Sequence, residues 1–342
     1  MEQTRLTQFS KAAGCGCKIA PDVLKQILKS DFEFHSENLL VGNATNDDAA
    51  VYDLGNGQCL ISTTDFFTPI VDDPYDFGRV AATNAISDVY AMGGKPIMAI
   101  SILSWPVDSL KPEQAAKVLE GAREQCKLAG IALAGGHSIA GPEPVFGLAV
   151  NGLIEKNNIK RNYTIENGDS IYFSKAIGTG IYSTALKRGA LKDEDYKELL
   201  TSLTTLNTLG YELGKLDFVT AMTDVTGFGF LGHLLEMVGN KELTAVIEKN
   251  NVIKFSNLDY YINQHIFPGN TTKNFNACNQ NCEGMIDLDF IAYCDPQTAG
   301  GLLFTVKKEY DSEFEAWKSK NNYYANKVGT IENSTGKKVK FI

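Results

Sequence analysis

Residues 74–105, PYDFGRVAATNAISDVYAMGGKPIMAISILSW, contain the clearest structural pattern of the chain. Pro74 suits the first turn of a helix, because its fixed φ is already helical and its missing N–H has no helical partner there. A mostly apolar stretch continues to Met92, and Gly93-Gly94 follows it, as is typical of a helix end. The apolar run Ile97–Trp105 predicts a strand. We therefore expect a helix over 74–92 that turns directly into a strand.

Other strands and helices are predicted on both sides of this unit. Residues 49–54 and 58–63 favour strands, and Gly55-Asn56-Gly57 between them predicts a hairpin because Asn-Gly tolerates positive φ. Residues 155–170 are polar and form the best linker, after which the strand–helix pattern begins again. Residues 193–215 favour one long helix, and residues 268–283 a polar, Asn-rich loop. The sequence therefore predicts an α/β (α+β) protein with domains 1–157 and 158–342.

The composition is that of a folded protein that does not bind nucleic acid. At about 150 residues per domain, 342 residues predict about two domains. Lys+Arg is 32 and Asp+Glu is 41, which gives a net charge of −9 and argues against a basic nucleic-acid surface. No run approaches ~20 apolar residues, so no membrane span is expected. The seven cysteines are odd in number and scattered, which favours a reducing, cytoplasmic location.

The segment Gly14-Cys15-Gly16-Cys17-Lys18 is a candidate for covalent or delivery chemistry. A thiol with a pKa near ~8.5 is only slightly ionised at neutral pH, but a nearby lysine and helix start favour the thiolate. Cys15 is therefore a candidate reactive thiol, with Lys18 as a mobile positive charge. Two other interpretations stay open: incidental cysteines, and a zinc site in which Cys15 and Cys17 join Cys278 and Cys282.

Five aspartates stand at the ends of predicted elements or on a buried helix face. Two unit charges ~4 Å apart repel by about 4 kcal/mol at an effective dielectric near 20, so a cluster of them calls for a cation. Mg²⁺ prefers oxygen ligands and bridges to phosphates. For any single residue a helix cap, a turn or a surface charge is the alternative. The five are Asp47, Asp48, Asp65, Asp88 and Asp224, where Asp65 and Asp224 are expected just after strands.

Two glycine-rich stretches are candidates for binding phosphate. Gly135-Gly136-His137-Ser138 follows a predicted strand over 131–134, and a turn there would present backbone N–H groups to an anion. The alternative is a tight turn with a hydrogen-bonded histidine. Residues 227–232 match G-x-G-x-x-G, the dinucleotide-binding pattern. Bulky Phe228 and Phe230 in the turn, and an aspartate at its mouth, argue against a dinucleotide.

Taken in order, these segments resemble the selenophosphate synthetase family (selenide, water dikinase), within the aminoimidazole ribonucleotide synthetase-like superfamily. The Gly-Cys-Gly-Cys-Lys segment is specific to that family, and the other motifs are shared with the superfamily. The matching text is residues 14–19 GCGCKI, 46–52 NDDAAVY, 62–67 STTDFF, 82–96 ATNAISDVYAMGGKP, 133–138 LAGGHS, 221–229 AMTDVTGFG and 294–301 CDPQTAGG.

The resemblance implies that ATP, selenide and water give selenophosphate, AMP and phosphate, and that selenophosphate donates selenium to selenocysteine and selenouridine synthesis. It implies a two-domain fold and a homodimer whose N-terminal strands form a shared barrel, with ATP near the subunit boundary. ATP is the substrate, and more than one Mg²⁺ is expected. It leaves open a requirement for a monovalent cation, and whether selenium arrives as free selenide or on a delivery protein.

Residue by residue, the resemblance implies that Cys15 is the catalytic cysteine, or replaces a selenocysteine, and that Lys18 is the essential lysine and contacts the nucleotide. It gives no role to Cys278 and Cys282. The implied metal ligands are Asp48, Asp88 and Asp224. The implied nucleotide contacts are Thr45, Asn46, Asp47, Asp65, Asp88, Gly136, His137 and Ser138.

Three alternatives remain to be weighed against this expectation. The first is another ATP-using kinase or ligase of the same superfamily, which is not expected to carry Gly-Cys-Gly-Cys-Lys. The second is a redox or metal-binding module that uses Cys15 and Cys17. The third is a non-catalytic homologue, which the presence of Cys15, Lys18 and all the matching aspartates disfavours.

Overall fold

The structure is a computed structural model that describes residues 5–10, 14, 23, 26–27, 29, 36–42, 47–286 and 288–342. Its described strands form two mixed sheets, one from each half of the chain. The strands are β1 Leu39–Val41, β2 Ala50–Asp53, β3 Gln58–Phe67, β4 Lys95–Trp105, β5 Ala132–Ala140, β6 Val145–Glu155, β7 Ser170–Phe173, β8 Val219–Asp224, β9 Leu243–Ile247, β10 Cys282–Glu283, β11 Leu302–Val306, β12 Asn326–Asn333 and β13 Val339–Phe341.

The longer described helices pack on these sheets and join them. Within the described residues, no helix has both the length and the apolar character needed to cross a bilayer. The α-helices are α1 Pro74–Ala91, α2 Pro112–Leu128, α3 Thr179–Lys187, α4 Asp193–Thr204, α5 Leu209–Gly214, α6 Gly229–Val238, α7 Leu258–Asn263, α8 Gly269–Cys278, α9 Asp289–Tyr293 and α10 Asp311–Lys320.

The first sheet has the strand order β1-β2-β3-β6-β4-β5. Its neighbours are antiparallel except β4 and β5, which are parallel. Side chains alternate between its two faces, so Cys59, Ile61 and Phe67 of β3 are buried against α1. Thr63 and Asp65 have the same parity, which places two polar side chains at the boundary between sheet and helix.

Helix α1 is almost completely buried and packs closely on α2. The approach depends on two glycines, because a Cβ on Gly78 would lie 1.8 Å from the carbonyl oxygen of Val118. A Cβ on Gly121 would lie 1.9 Å from the carbonyl oxygen of Tyr75. Side chains at these positions would force the helices apart.

The second sheet has the order β10-β13-β9-β12-β7-β11-β8, with β8 at one edge. The C-terminal end of β8 approaches α1 of the first half. Helix α5 also packs there, since a Cβ on Gly210 would lie 2.2 Å from the carbonyl oxygen of Tyr90. The carboxylates of both halves therefore meet at α1. The predicted domain boundary after residue 157 stays a prediction.

Several predicted elements are confirmed and others are wrong. The hairpin at 55–57 and the helix at 74–92 are present as β2–β3 and α1. The single helix over 193–215 is instead two, α4 and α5, because Thr204 and Thr205 turn their hydroxyls back onto backbone carbonyls at the end of α4.

The polar loop predicted over 268–283 contains helix α8. Its inward positions Thr271, Asn274 and Cys278 have helical spacing, but they are not the large apolar residues that reveal an amphipathic helix. Asp65 and Asp224 lie within β3 and β8 rather than after them, since both strands extend further than the apolar runs that predict them.

The predicted glycine-rich turn at 135–138 is also wrong, because these residues belong to β5. Gly135 and Gly136 have φ values of +150° and +156° at a β-bulge between β4 and β5. A Cβ on Gly136 would lie 2.2 Å from the carbonyl oxygen of Ser101. Gly136 thus permits the close approach of β5 to β4.

Candidate active site

Three of the predicted metal ligands come together between the two halves. Asp48 precedes β2, Asp88 lies in the last turn of α1, and Asp224 ends β8. Burial raises the pKa of Asp48 well above its usual value, and the negative charges of Asp224 and Asp88 raise it further. The three carboxylates therefore repel one another, which is the arrangement that a bound cation relieves.

Each of these carboxylates accepts a hydrogen bond from a hydroxyl group. Thr223 Oγ1 donates to Asp48 Oδ1 at 2.8 Å. Thr63 Oγ1 donates to Asp88 Oδ2, and Ser87 Oγ to Asp224 Oδ2, both at 2.5 Å. The hydroxyls fix the orientation of the carboxylates without neutralising their charge.

Asp48 Oδ2 is buried and has no hydrogen-bond partner among the described residues. A buried carboxylate oxygen without a partner is unfavourable, so its surroundings fit a hard cation such as Mg²⁺. Within the described residues, no three His, Cys, Asp or Glu side chains are arranged to hold an ion by themselves. That fits Mg²⁺, which usually binds one or two carboxylates together with waters and substrate phosphates.

Asp47 and Asp65 are held by groups from other parts of the chain. Asp47 Oδ1 accepts from the backbone N–H of Asn162 at 2.9 Å. Asp65 Oδ2 accepts from Asn84 Nδ2 at 2.5 Å, and Asn84 Oδ1 accepts from the N–H of Ala299 at 2.8 Å. Asn84 is one helical turn from Asp88, so Asp65 borders the carboxylate cluster.

Gly136, His137 and Ser138 are exposed on β5 and are not brought to this cluster within one chain. Three strand spacings separate β5 from β3, about 14 Å along the sheet. They instead line a separate cavity of about 210 Å³ with Ser101 and Arg123.

Four predicted site residues, Cys15, Lys18, Thr45 and Asn46, lie outside the described residues. Their described neighbour Gly14 donates its N–H to the carbonyl oxygen of Thr68 at 3.0 Å. A Cβ on Gly14 would lie 2.6 Å from Thr298 Oγ1. Gly14 therefore contacts the loop that follows Cys294.

The structure argues against the dinucleotide interpretation and leaves the zinc interpretation untested. The G-x-G-x-x-G stretch follows β8, which pairs antiparallel with β11 rather than in a parallel βαβ unit. Gly229 is needed for packing, since a Cβ there would lie 2.8 Å from the carbonyl carbon of Cys294. Burial raises the pKa of Cys278 to about 12 and that of Cys282 as well, whereas Cys15 and Cys17, the other two residues of the zinc interpretation, lie outside the described residues.

The sequence alone does not identify the groups that hold the carboxylates, above all Ser87 and Asn207. Asn207 is only 5% exposed and donates from Nδ2 to Ser87 Oγ and to the carbonyl oxygen of Gly300, both at 2.8 Å. One signal was available for Ser87, because hydroxyl and amide side chains interrupt the apolar residues of α1. No such signal was available for Asn207, because it lies inside the helix predicted over 193–215.

Comparison with known proteins assigns the chain to a family. The family model of the AIR synthase related protein N-terminal domain matches residues 46–154, and that of its C-terminal domain matches residues 166–342. A selenide, water dikinase from Colwellia psychrerythraea is 51% identical over 343 residues, which cover 100% of both chains. The chain belongs to the selenide, water dikinase family. Another member, from Aeromonas hydrophila, is 49% identical over 337 residues, 98% of each chain.

Solved structures show the same two-domain fold as this member of the selenide, water dikinase family. Thiamine-monophosphate kinase from Stenotrophomonas maltophilia has a TM-score of 0.66 at 20% identity, covering 90% of this chain and 92% of that one. Hydrogenase maturation protein HypE, solved in complex with ATP, has a TM-score of 0.65 at 18% identity, covering 85% and 81%. The predicted two-domain α/β fold is confirmed.

Proposed function

We propose that the protein makes selenophosphate, AMP and phosphate from selenide, ATP and water. The observation that carries the proposal is the similarity to a selenide, water dikinase at 51% identity over all of both chains. The carboxylate cluster supports the same reaction, because a polyphosphate can bind among aspartates only with cations between them.

In the proposed site, Asp48, Asp88 and Asp224 hold magnesium. A bound Mg²⁺ would neutralise negative charge on the phosphates. Thr223, Thr63 and Ser87 keep the carboxylate oxygens in place. Because these groups are fixed before the nucleotide arrives, little reorganisation is needed during phosphoryl transfer.

The N-terminal segment completes the proposed chemistry. Lys18 supplies positive charge to the phosphates, and Cys15 binds selenium transiently or delivers it to the γ-phosphoryl group. Gly14, next to Cys15, contacts Thr298 and Ile70, which puts the start of this segment at the junction of the two halves. A working thiol must stay reduced, so a cytoplasmic location is part of the proposal.

A second copy of the chain is part of the proposal too. The first sheet exposes many large apolar side chains, and such a patch marks an interface. It also carries Gly136, His137 and Ser138 on β5, away from the carboxylates of its own chain, so a partner could place its β5 near them. On the strands of this sheet, the large apolar side chains that are at least 40% exposed are Leu39, Tyr52, Phe66, Ile97, Met98, Ile100 and Ile139.

The test is to incubate the protein with MgATP and selenide and to follow the phosphorus NMR spectrum. We expect selenophosphate, AMP and phosphate, and lasting ADP without AMP would instead identify another kinase of the superfamily. Cys15→Ser should abolish selenophosphate formation while binding of the nucleotide stays near normal. Full activity of that variant would exclude the proposed role of the thiol.

A further inference from the structure

Three polar side chains lie along one face of the mostly apolar helix α1. Asn84, Ser87 and Asp88 are spaced i, i+3 and i+4, so they share that face, and all are at most 9% exposed. Asn84 binds Asp65 and Ser87 binds Asp224. One helix face therefore connects the acidic residues of both halves.

The hydrogen bonds around Ser87 can run in only one direction. Ser87 has a single hydroxyl hydrogen, and it goes to the carboxylate of Asp224, which is 1% exposed and can only accept when ionised. Ser87 must then accept from Asn207 Nδ2. The second hydrogen of that amide goes to the carbonyl oxygen of Gly300, so a flipped amide would lose both bonds.

The loop that receives this last bond is itself fixed. Ala299 has a φ of +47°, an uncommon conformation for a residue other than glycine. Its N–H donates to Asn84 Oδ1 at 2.8 Å, and its carbonyl oxygen accepts from Lys175 Nζ at 2.7 Å. A strained conformation persists when its surroundings determine it in this way. Gly300 is therefore a firm anchor for Asn207.

We propose that Asn207 and Ser87 are positioning residues, which orient the Asp224 carboxylate for binding a divalent cation. Gly300 anchors Asn207, Asn207 fixes the hydroxyl of Ser87, and Ser87 fixes Asp224 Oδ2. Partners behind a metal ligand set its orientation, and their loss typically weakens metal binding by about 10–100-fold. The inference rests on the proposed function only in assigning a cation to Asp224.

The test is Asn207→Leu, which removes both N–H donors without adding a charge, alongside Asn207→Asp, which keeps the side-chain shape but adds a carboxyl group near Asp224. We expect the Mg²⁺ concentration that half-saturates binding of a non-hydrolysable ATP analogue to rise about tenfold. The kcat at saturating Mg²⁺ should change less, because the ligand is misplaced rather than lost. Calorimetric titration with MgCl2 and the analogue measures the first quantity, and steady-state kinetics the second.

The matched control is Asn274→Asp. Asn274 is 8% exposed and also donates from Nδ2 to two carbonyl oxygens, those of Gly227 and Cys294. None of its hydrogen bonds leads to a carboxylate of the site. The same substitution there should lower the unfolding temperature without changing the magnesium titration. An equal magnesium shift in both variants would mean general loosening and would overturn the proposal.

Ser87→Ala supplies a second variant that removes a single hydroxyl and is expected to fold. It should shift the magnesium titration in the same direction, and the double variant should shift it little more than the larger single effect. Additive shifts, or no shift in either single variant, would contradict a common route through Ser87. If the wild type binds Mg²⁺ and the analogue but makes no selenophosphate, the proposed function fails while this inference is still tested.

Discussion

At the scale of single residues, Asp48 combines two energetically unfavourable features, a buried oxygen without a hydrogen bond from any described residue and nearby negative charges. Its Oδ1 accepts from Thr223, whereas its buried Oδ2 has no partner in the described part of the chain. Burial and two nearby negative charges raise its pKa. The cation-free protein is therefore destabilised at Asp48. A bound cation should relieve the repulsion among the carboxylates and so stabilise the folded state.

Asp48→Asn should separate stability from function. Without divalent cations at pH 7, we expect its free energy of unfolding to exceed that of the wild type by about 1–4 kcal/mol, the range for one like-charge pair ~4 Å apart at effective dielectrics of about 80 to 20. The stabilisation that MgATP gives the wild type should be largely lost. Denaturant unfolding in EDTA and then in MgATP measures both effects.

The pH dependence of this difference has a definite sign. Asp48 has a raised pKa in the folded state, so its contribution to stability is complete below the unfolded value of 3.8 and is lost as the pH rises through the folded value. The gain in free energy of unfolding from Asp48→Asn should thus increase with pH. A gain that stays constant with pH would contradict a raised pKa of Asp48. Asp53→Asn is the control, because Lys156 at 2.7 Å lowers the pKa of Asp53 and its removal should not stabilise.

At the scale of elements, α1 was the most predictable part of the molecule and its partners the least. Pro74, the apolar run and Gly93 predict the helix from local rules alone. The bond from Ser87 to Asp224 joins residues 137 positions apart, and no local pattern encodes it. The bulge at Gly135 and helix α8 were missed because glycine and asparagine are typical of loops as well. The aspartates could be predicted because four stand at the ends of predicted elements and Asp88 lies on a buried helix face.

Gly78→Ala tests the packing of α1 on α2. Within a helix, alanine is favoured over glycine by about 1 kcal/mol, so helix propensity alone predicts stabilisation. The new Cβ would meet the carbonyl oxygen of Val118 at 1.8 Å, however, and we expect a net loss of about 1–3 kcal/mol. Chemical denaturation compares it with Gly269→Ala, whose Cβ would meet nothing within 4 Å. Equal stability of the two variants would show that the helices separate easily.

At the scale of the whole molecule, one face of the first sheet is covered by α1 while exposed apolar side chains remain on its strands. Sheets in water usually pair an apolar face with a polar one. Phe66 is 52% exposed and Ile139 58%, which is unfavourable unless another surface covers them. These exposed side chains support the proposal that a second copy of the chain covers this face of the sheet.

Ile100→Lys should weaken the proposed dimer, because burying an unpaired ammonium at an apolar interface is costly. We expect a shift towards monomer in analytical ultracentrifugation and a weaker affinity for nucleotide. The matched control is Ile253→Lys in the second half, where Ile253 is 40% exposed against 41% for Ile100. This interface would be excluded if the wild type sediments as a monomer at micromolar concentration. It would also be excluded if Ile100→Lys sediments as the wild type does.

Because the site is divided between the two halves of the chain, the ribosome synthesises its parts at different times. Asp88 is synthesised 212 residues before Gly300, and at about 5–20 residues per second the delay is of the order of ten seconds or more. Within that interval, Asn207 and Asp224 are synthesised first and the loop at 299–300 last. We therefore expect the full stabilisation by nucleotide only when synthesis is almost finished.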